Sequence, residues 1–109
     1  MPLELTAIDP HDPDWNDSVA AIPLQAHDYI MTKAQSTGLM LLSRMKEYWE
    51  DTVYENDELG ILRSELARVR NFLRPEELDA ERMSDLFARM DLVITKAQEI
   101  GGYVEAIAD

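Results

Sequence analysis

Apolar residues recur every three or four positions along most of this chain, and this spacing constrains the fold more than any other feature. Residues spaced in this way share one face of an α-helix. The spacing therefore predicts three helices, at residues 23–55, 57–73 and 76–108, and no β-strand. The longest uninterrupted series consists of Met83, Leu86, Met90, Val93, Ala97, Ile100, Val104 and Ile107.

Residues 1–22 lack this helical spacing. They contain Pro2, Pro10 and Pro13, and a proline disfavours the helical conformation of the residue before it. We expect turns and extended chain here, held against a helix by a few apolar side chains. A length of 109 residues suits one core. The predicted fold is therefore all-α: a single domain made of an up-down-up three-helix bundle (residues 23–109) and an extended, proline-containing N-terminal arm (residues 1–22).

Two parts of the chain resemble each other at a constant offset of 63 residues. Residues 30–35 (IMTKAQ), followed by Gly38, match residues 93–98 (VITKAQ), followed by Gly101. Each copy places Ala and Gly four positions apart, which on a helix would form a notch without side-chain bulk. We interpret the two notches as the contact between the first and third helices. The alternative is that the small residues only accommodate a bulky neighbour.

The charge of the chain is strongly unbalanced. It has 10 Lys and Arg residues against 22 Asp and Glu residues, for a formal net charge of −12. Such a protein repels nucleic acid and anionic lipid, so we expect a basic protein partner and no binding to nucleic acid or membrane. The absence of cysteine excludes disulfides and thiolate metal sites. Without a secretory signal or a membrane-spanning apolar stretch, the expected location is the cytoplasm.

Catalytic and metal-binding patterns are missing from the sequence. The two histidines, His11 and His27, have no carboxylate at a spacing typical of metal ligands. No serine lies in a G-x-S-x-G context, and there is no glycine-rich phosphate loop. We therefore predict that the protein is not an enzyme and that it has no cofactor or metal.

The predicted binding site is a stretch that mixes aromatic and acidic residues at the end of the first predicted helix. Acidic side chains attract a basic partner, and Tyr and Trp supply most of the buried contact energy in many interfaces. The alternative is that Tyr48 and Trp49 face the core and that the acids only solvate a helix end. The candidate partner-binding residues are Glu47, Tyr48, Trp49, Glu50, Asp51, Tyr54, Glu55, Asp57 and Glu58.

In composition and predicted architecture the chain resembles the small, acidic, all-helical immunity proteins that neutralise bacterial toxins. The similarity rests on the stretch from Tyr48 to Glu58, the following helix to Leu66, and the closing Ala-Gln-x-x-Gly helix that ends in Asp109. The resemblance implies a non-enzymatic inhibitor that binds one cognate toxin, often a basic nuclease, and blocks its active site or another essential surface. The alternative function is an oligomeric helical scaffold or regulatory adaptor. In the absence of its partner, the protein is expected to be a monomer or a homodimer.

Overall fold

The protein consists of a four-stranded antiparallel sheet and a layer of helices. A computed structural model describes residues 3–12, 19–74 and 79–108. The strands are β1 (Leu3–Ile8), β2 (Val19–Ile22), β3 (Thr52–Tyr54) and β4 (Tyr103–Ile107). The α-helices are α1 (Leu24–Thr37), α2 (Met40–Ser43), α3 (Leu59–Arg70) and α4 (Ala80–Glu99), with short 3-10 helices at Arg44–Lys46 and Asn56–Glu58. The prediction of an all-α three-helix bundle is therefore wrong.

The strand order in the sheet is β2-β1-β4-β3, and every neighbouring pair is antiparallel. The N-terminal strand β1 thus lies inside the sheet, between β2 and β4, and the predicted arm on a helical bundle does not exist. Its sequence LELTAI alternates in polarity, so that Leu3, Leu5 and Ala7 are buried on one face. This alternation at a period of two is the strand signal that the prediction missed.

The prediction of one helix over residues 23–55 is wrong beyond Thr37, where α1 ends. Helix α1 ends before Gly38, which has a positive φ of 72° that glycine adopts without steric cost. The N–H of Leu39 then donates to the carbonyl of Ala34 at 2.8 Å and closes the helix end. The chain continues through α2 and a 3-10 turn into β3, whose Thr-Val-Tyr sequence favours a strand.

The third predicted helix, residues 76–108, ends early in the same way. Helix α4 stops at Glu99, and Gly101 has a φ of 65°. The N–H of Gly102 donates to the carbonyl of Ala97 at 2.9 Å, five positions back, as in α1. The repeated Ala-Gln-x-x-Gly sequence is therefore a helix C-terminal motif, and the proposed notch between two helices is wrong.

The second predicted helix, residues 57–73, is close to α3. The 3-10 helix Asn56–Glu58 that leads into α3 begins with a capping box, in which the N–H of Glu55 donates to the Glu58 side chain at 3.0 Å. Helix α3 also holds α2 in place through the buried carboxylate of Glu65. That carboxylate accepts the N–H groups of Leu41 and Leu42 at 3.3 Å and 2.9 Å.

Helix α4 covers one face of the sheet. The core lies between this face and α4, which packs against β1, β2 and β4. Phe87, Met90, Val93 and Ile94 of α4 are buried there. The alternate residues of the four strands point to the opposite face, where Thr6 is buried, Glu4 and Glu105 are half-buried, and Val53 and Ile107 are exposed. We call this the open face of the sheet.

Candidate functional site

The aromatic and acidic stretch at residues 47–58 does not form one helical face. Strand β3 divides it into two groups, which lie at opposite ends of the sheet. Glu47, Trp49, Glu50 and Asp51 precede β3, and Glu55, Asp57 and Glu58 follow it. All of these side chains are exposed except that of Glu58, which is half-buried.

Both candidate tyrosines belong to the core. Tyr48 is buried, and its hydroxyl donates to the carbonyl of Ile22 at 2.7 Å while accepting the N–H of Leu3 at 3.2 Å. Tyr54 is fully buried and donates to the carbonyl of Leu41 at 2.6 Å. The two phenols thus join the strands to the α2 region, and a partner on the surface does not reach them.

Trp49, in contrast, is the most accessible aromatic residue of the stretch, with 67% of its surface exposed. Its ring meets the ring of Tyr48 edge to face, with 5.0 Å between the centroids. Tyr48 in turn contacts the ring of His27 at 4.9 Å. A buried aromatic pair therefore supports Trp49 from below and leaves its outer surface free.

Some of the candidate acids stabilise the fold. Arg44 forms an ion pair with Glu58, and this hydrogen bond holds the pKa of the Glu58 carboxyl below its usual value, helped by the backbone N–H of Glu55. Asp51 accepts the N–H of Ala108 at 2.7 Å and so ties the end of β4 to the loop before β3. Within the described ranges, Glu47, Glu50 and Asp57 form no ion pair.

The open face adds acidic residues that the sequence analysis missed. Glu4 of β1 lies opposite Ile107, and Glu105 of β4 lies opposite Thr6 and Val53. Glu4 and Glu105 are thus diagonal neighbours on adjacent strands and lie on the same face of the sheet. The four strands contain no Lys or Arg. The alternating sequences LELTAI and YVEAI were the signal from which these two acids could have been found.

Net charge also differs between the segments that contain the strands and the segments that contain the α-helices. Residues 1–22, 47–58 and 103–109, which supply the strands, contain 13 acidic and no basic residues. The remaining residues, which supply the α-helices, contain nine acidic and all ten basic residues. The helical part is therefore nearly neutral, and the strand-forming part carries the negative charge of the protein.

The described residues do not bring together a group of metal-binding side chains. No three His, Asp or Glu side chains of residues 3–12, 19–74 and 79–108 are grouped so that they could hold a metal ion. His27 is buried and hydrogen-bonds through Nε2 to the carbonyl of Met45. None of the described helices has the length and apolar character required to span a bilayer.

Comparison with protein-family models, curated proteins and solved structures finds no match to this chain. The surface of the protein combines a sheet face that carries two carboxylates, exposed acids at both ends of the sheet, and the exposed side chain of Trp49.

The burial of Tyr54 predicts a loss of stability at high pH. Desolvation of the phenol raises the pKa of Tyr54 above its ordinary value of 10.0. Its contribution to stability is complete below that value and is lost as the pH rises, because the unfolded chain releases the proton first. Tyr54→Phe, which has no proton to lose, should show a shallower fall in the free energy of unfolding between about pH 9 and about pH 12.

Denaturant unfolding across this pH range measures the difference, with Tyr103→Phe as the control for removing a half-buried phenol. Because it loses the hydrogen bond to Leu41, Tyr54→Phe should be less stable than wild type by about 1 kcal/mol at neutral pH. Parallel pH profiles of the free energy of unfolding for wild type and Tyr54→Phe would show that burial does not raise the pKa of Tyr54.

Proposed function

We propose that this protein is a non-enzymatic inhibitor that binds a basic protein through the open face of its sheet and the adjoining acidic loops. The division of charge carries the proposal: strand-forming segments with 13 acids and no base, beside a helical part that is nearly neutral. Solubility alone would be served by acids spread over the whole surface. Concentration of the acids in a few segments of the chain is typical of a protein that attracts a cationic partner.

Glu4 and Glu105 support the proposal because they place two negative charges on adjacent strands and on the same face of the sheet. No described ion pair neutralises either of them. A Lys or Arg side chain of a partner placed between them would be attracted by both carboxylates.

Exposed apolar side chains supply the other part of a binding surface. Val53 and Ile107 are 41% and 36% exposed on the open face, and Trp49 lies in the loop before β3. Interfaces derive much of their affinity from a few buried aromatic and aliphatic anchors within a charged surround. Trp49 is the residue of this surface that would bury the largest area on binding.

An immunity protein that neutralises a cognate bacterial toxin fits these properties, and it would act in the cytoplasm. The partner would then be the toxin domain, for instance a basic nuclease whose phosphate-binding surface the acids cover. The alternative of a helical scaffold has less support, because the apolar stripes of α3 and α4 are buried in the chain's own core.

The test begins with recovery of the partner from the host by affinity capture, followed by measurement of its binding to purified variants. Glu4→Lys combined with Glu105→Lys should weaken binding by at least about tenfold, mainly through slower association, with a larger effect at low salt. Surface plasmon resonance at two ionic strengths gives both rate constants. Loss of toxicity when the two proteins are co-expressed tests the inhibition itself.

Asp28→Lys combined with Glu99→Lys is the matched control. It changes the net charge by the same amount on exposed helical residues and should leave the rate constants nearly unchanged. Equal weakening by the two double variants would show that only total charge matters. A partner that is not basic, or binding indifferent to both pairs, would overturn the proposal.

A further inference from the structure

Strand β2 has one unpaired edge. It is the outermost strand of the sheet, and among the described residues it pairs only with β1. Its sequence Val-Ala-Ala-Ile carries no charge and no proline, the features that usually protect an exposed edge from pairing with another strand. Alanine side chains also permit close approach. This edge is therefore suited to continue the sheet into another chain.

A groove of about 950 Å³ lies along this edge. Its walls are formed by β2, the start of α1 and the first half of α4. Met83, Leu86 and Leu92 line the α4 side, and Leu92 is 63% exposed. An apolar groove next to an unpaired strand offers both main-chain hydrogen bonds and area for hydrophobic burial.

The charges around the groove indicate what covers it. Among the described residues that line it, Arg82 and Arg89 balance Asp79 and Asp85, although the chain has a net charge of −12. A basic partner would gain little attraction here, whereas it would be attracted to the acids of the open face. Two copies of an acidic chain, in contrast, repel each other least where their surfaces are neutral. A surface with both signs is also complementary to itself across a twofold axis.

We propose that two copies of this chain form a homodimer through the free edge of β2, with the groove of each copy covered by the other. The two sheets continue into one another, and Leu92 is buried in the contact. Arg82 and Arg89 of one copy lie near Asp79 and Asp85 of the other copy across the twofold axis. Glu4, Glu105 and Trp49 do not line the groove, so the residues proposed to bind the basic partner remain accessible in the dimer.

Sedimentation equilibrium over a range of concentrations tests the dimer. Wild type should show a mass of twice the 12.5 kDa of one chain. Leu92→Lys should raise the dissociation constant by at least about tenfold, because each interface then buries two uncompensated charges. Far-ultraviolet circular dichroism confirms that the variant is folded, which is expected because Leu92 is largely exposed in the single chain.

Ile61→Lys is the matched control, since Ile61 is 60% exposed on α3 and does not line the groove. It should leave the dimer intact, as should the double variant Glu4→Lys and Glu105→Lys. A wild-type chain that is monomeric at every concentration would overturn the proposal. A dimer that Ile61→Lys disrupts and Leu92→Lys does not would also overturn it.

Discussion

Gly102→Ala should destabilise the protein by roughly 3 kcal/mol, although it adds only one methyl group. Gly102 is buried where the chain leaves α4 and enters β4. A Cβ there would overlap the carbonyl oxygen of Ile8 and lie 3.1 Å from its carbonyl carbon. Both atoms belong to the backbone of β1, so the overlap is removed only by moving β1 and β4 apart, and this weakens the centre of the sheet.

Gly60→Ala is the control for the same chemical change, and its effect should have the opposite sign. Gly60 is exposed within α3, and a Cβ there would meet only the end of the Gln98 side chain, at 3.9 Å. Alanine should stabilise the helix by about 0.5–1 kcal/mol. Thermal or urea unfolding measures both variants. Equal effects would show that Gly102 does not lie against β1.

Deletion of residues 1–8 should abolish cooperative folding. Strand β1 pairs with β2 on one side and with β4 on the other. Its removal exposes the inner edges of both strands and deletes Leu3, Leu5 and Ala7 from the core. In the all-helical prediction these residues belonged to an arm whose loss would leave the bundle intact. Circular dichroism and amide dispersion in NMR spectra distinguish unfolding from an intact helical bundle, because only an intact bundle would retain the spectrum of a folded protein.

A point substitution tests the same strand without removing it. Leu5 is 1% exposed, so Leu5→Ala should cost about 2–5 kcal/mol from lost burial and the remaining cavity. Leu24→Ala is the control, since Leu24 at the start of α1 is 50% exposed and should cost less than about 1 kcal/mol. Similar costs for the two variants would argue against a central position for β1.

The candidate site was only partly predictable. The exposure of the acids follows from local composition, because a charged side chain is rarely buried without a partner. The exposure of Trp49 does not follow, since the sequence also allowed it to face the core. The positions of Tyr48 and Tyr54 do not follow, since a tyrosine suits both a core and an interface and only distant acceptors, the carbonyls of Ile22 and Leu41, decide between them. Glu4 and Glu105 come together only because β1 and β4 are neighbours, a contact between the two ends of the chain.

The sequence by itself determined the features that depend on near neighbours along the chain. These are the helical character of α1, α3 and α4, the negative charge, and the absence of disulfides. Tertiary structure decided whether residues 103–107 continue a helix or form a strand. Val104 and Ile107 continue the helical spacing from Ile100, whereas Val104 and Ala106 alternate as in a strand, so both patterns are present in five residues. Pairing with β1, nearly a hundred positions away, satisfies the backbone hydrogen bonds of this segment and selects the strand.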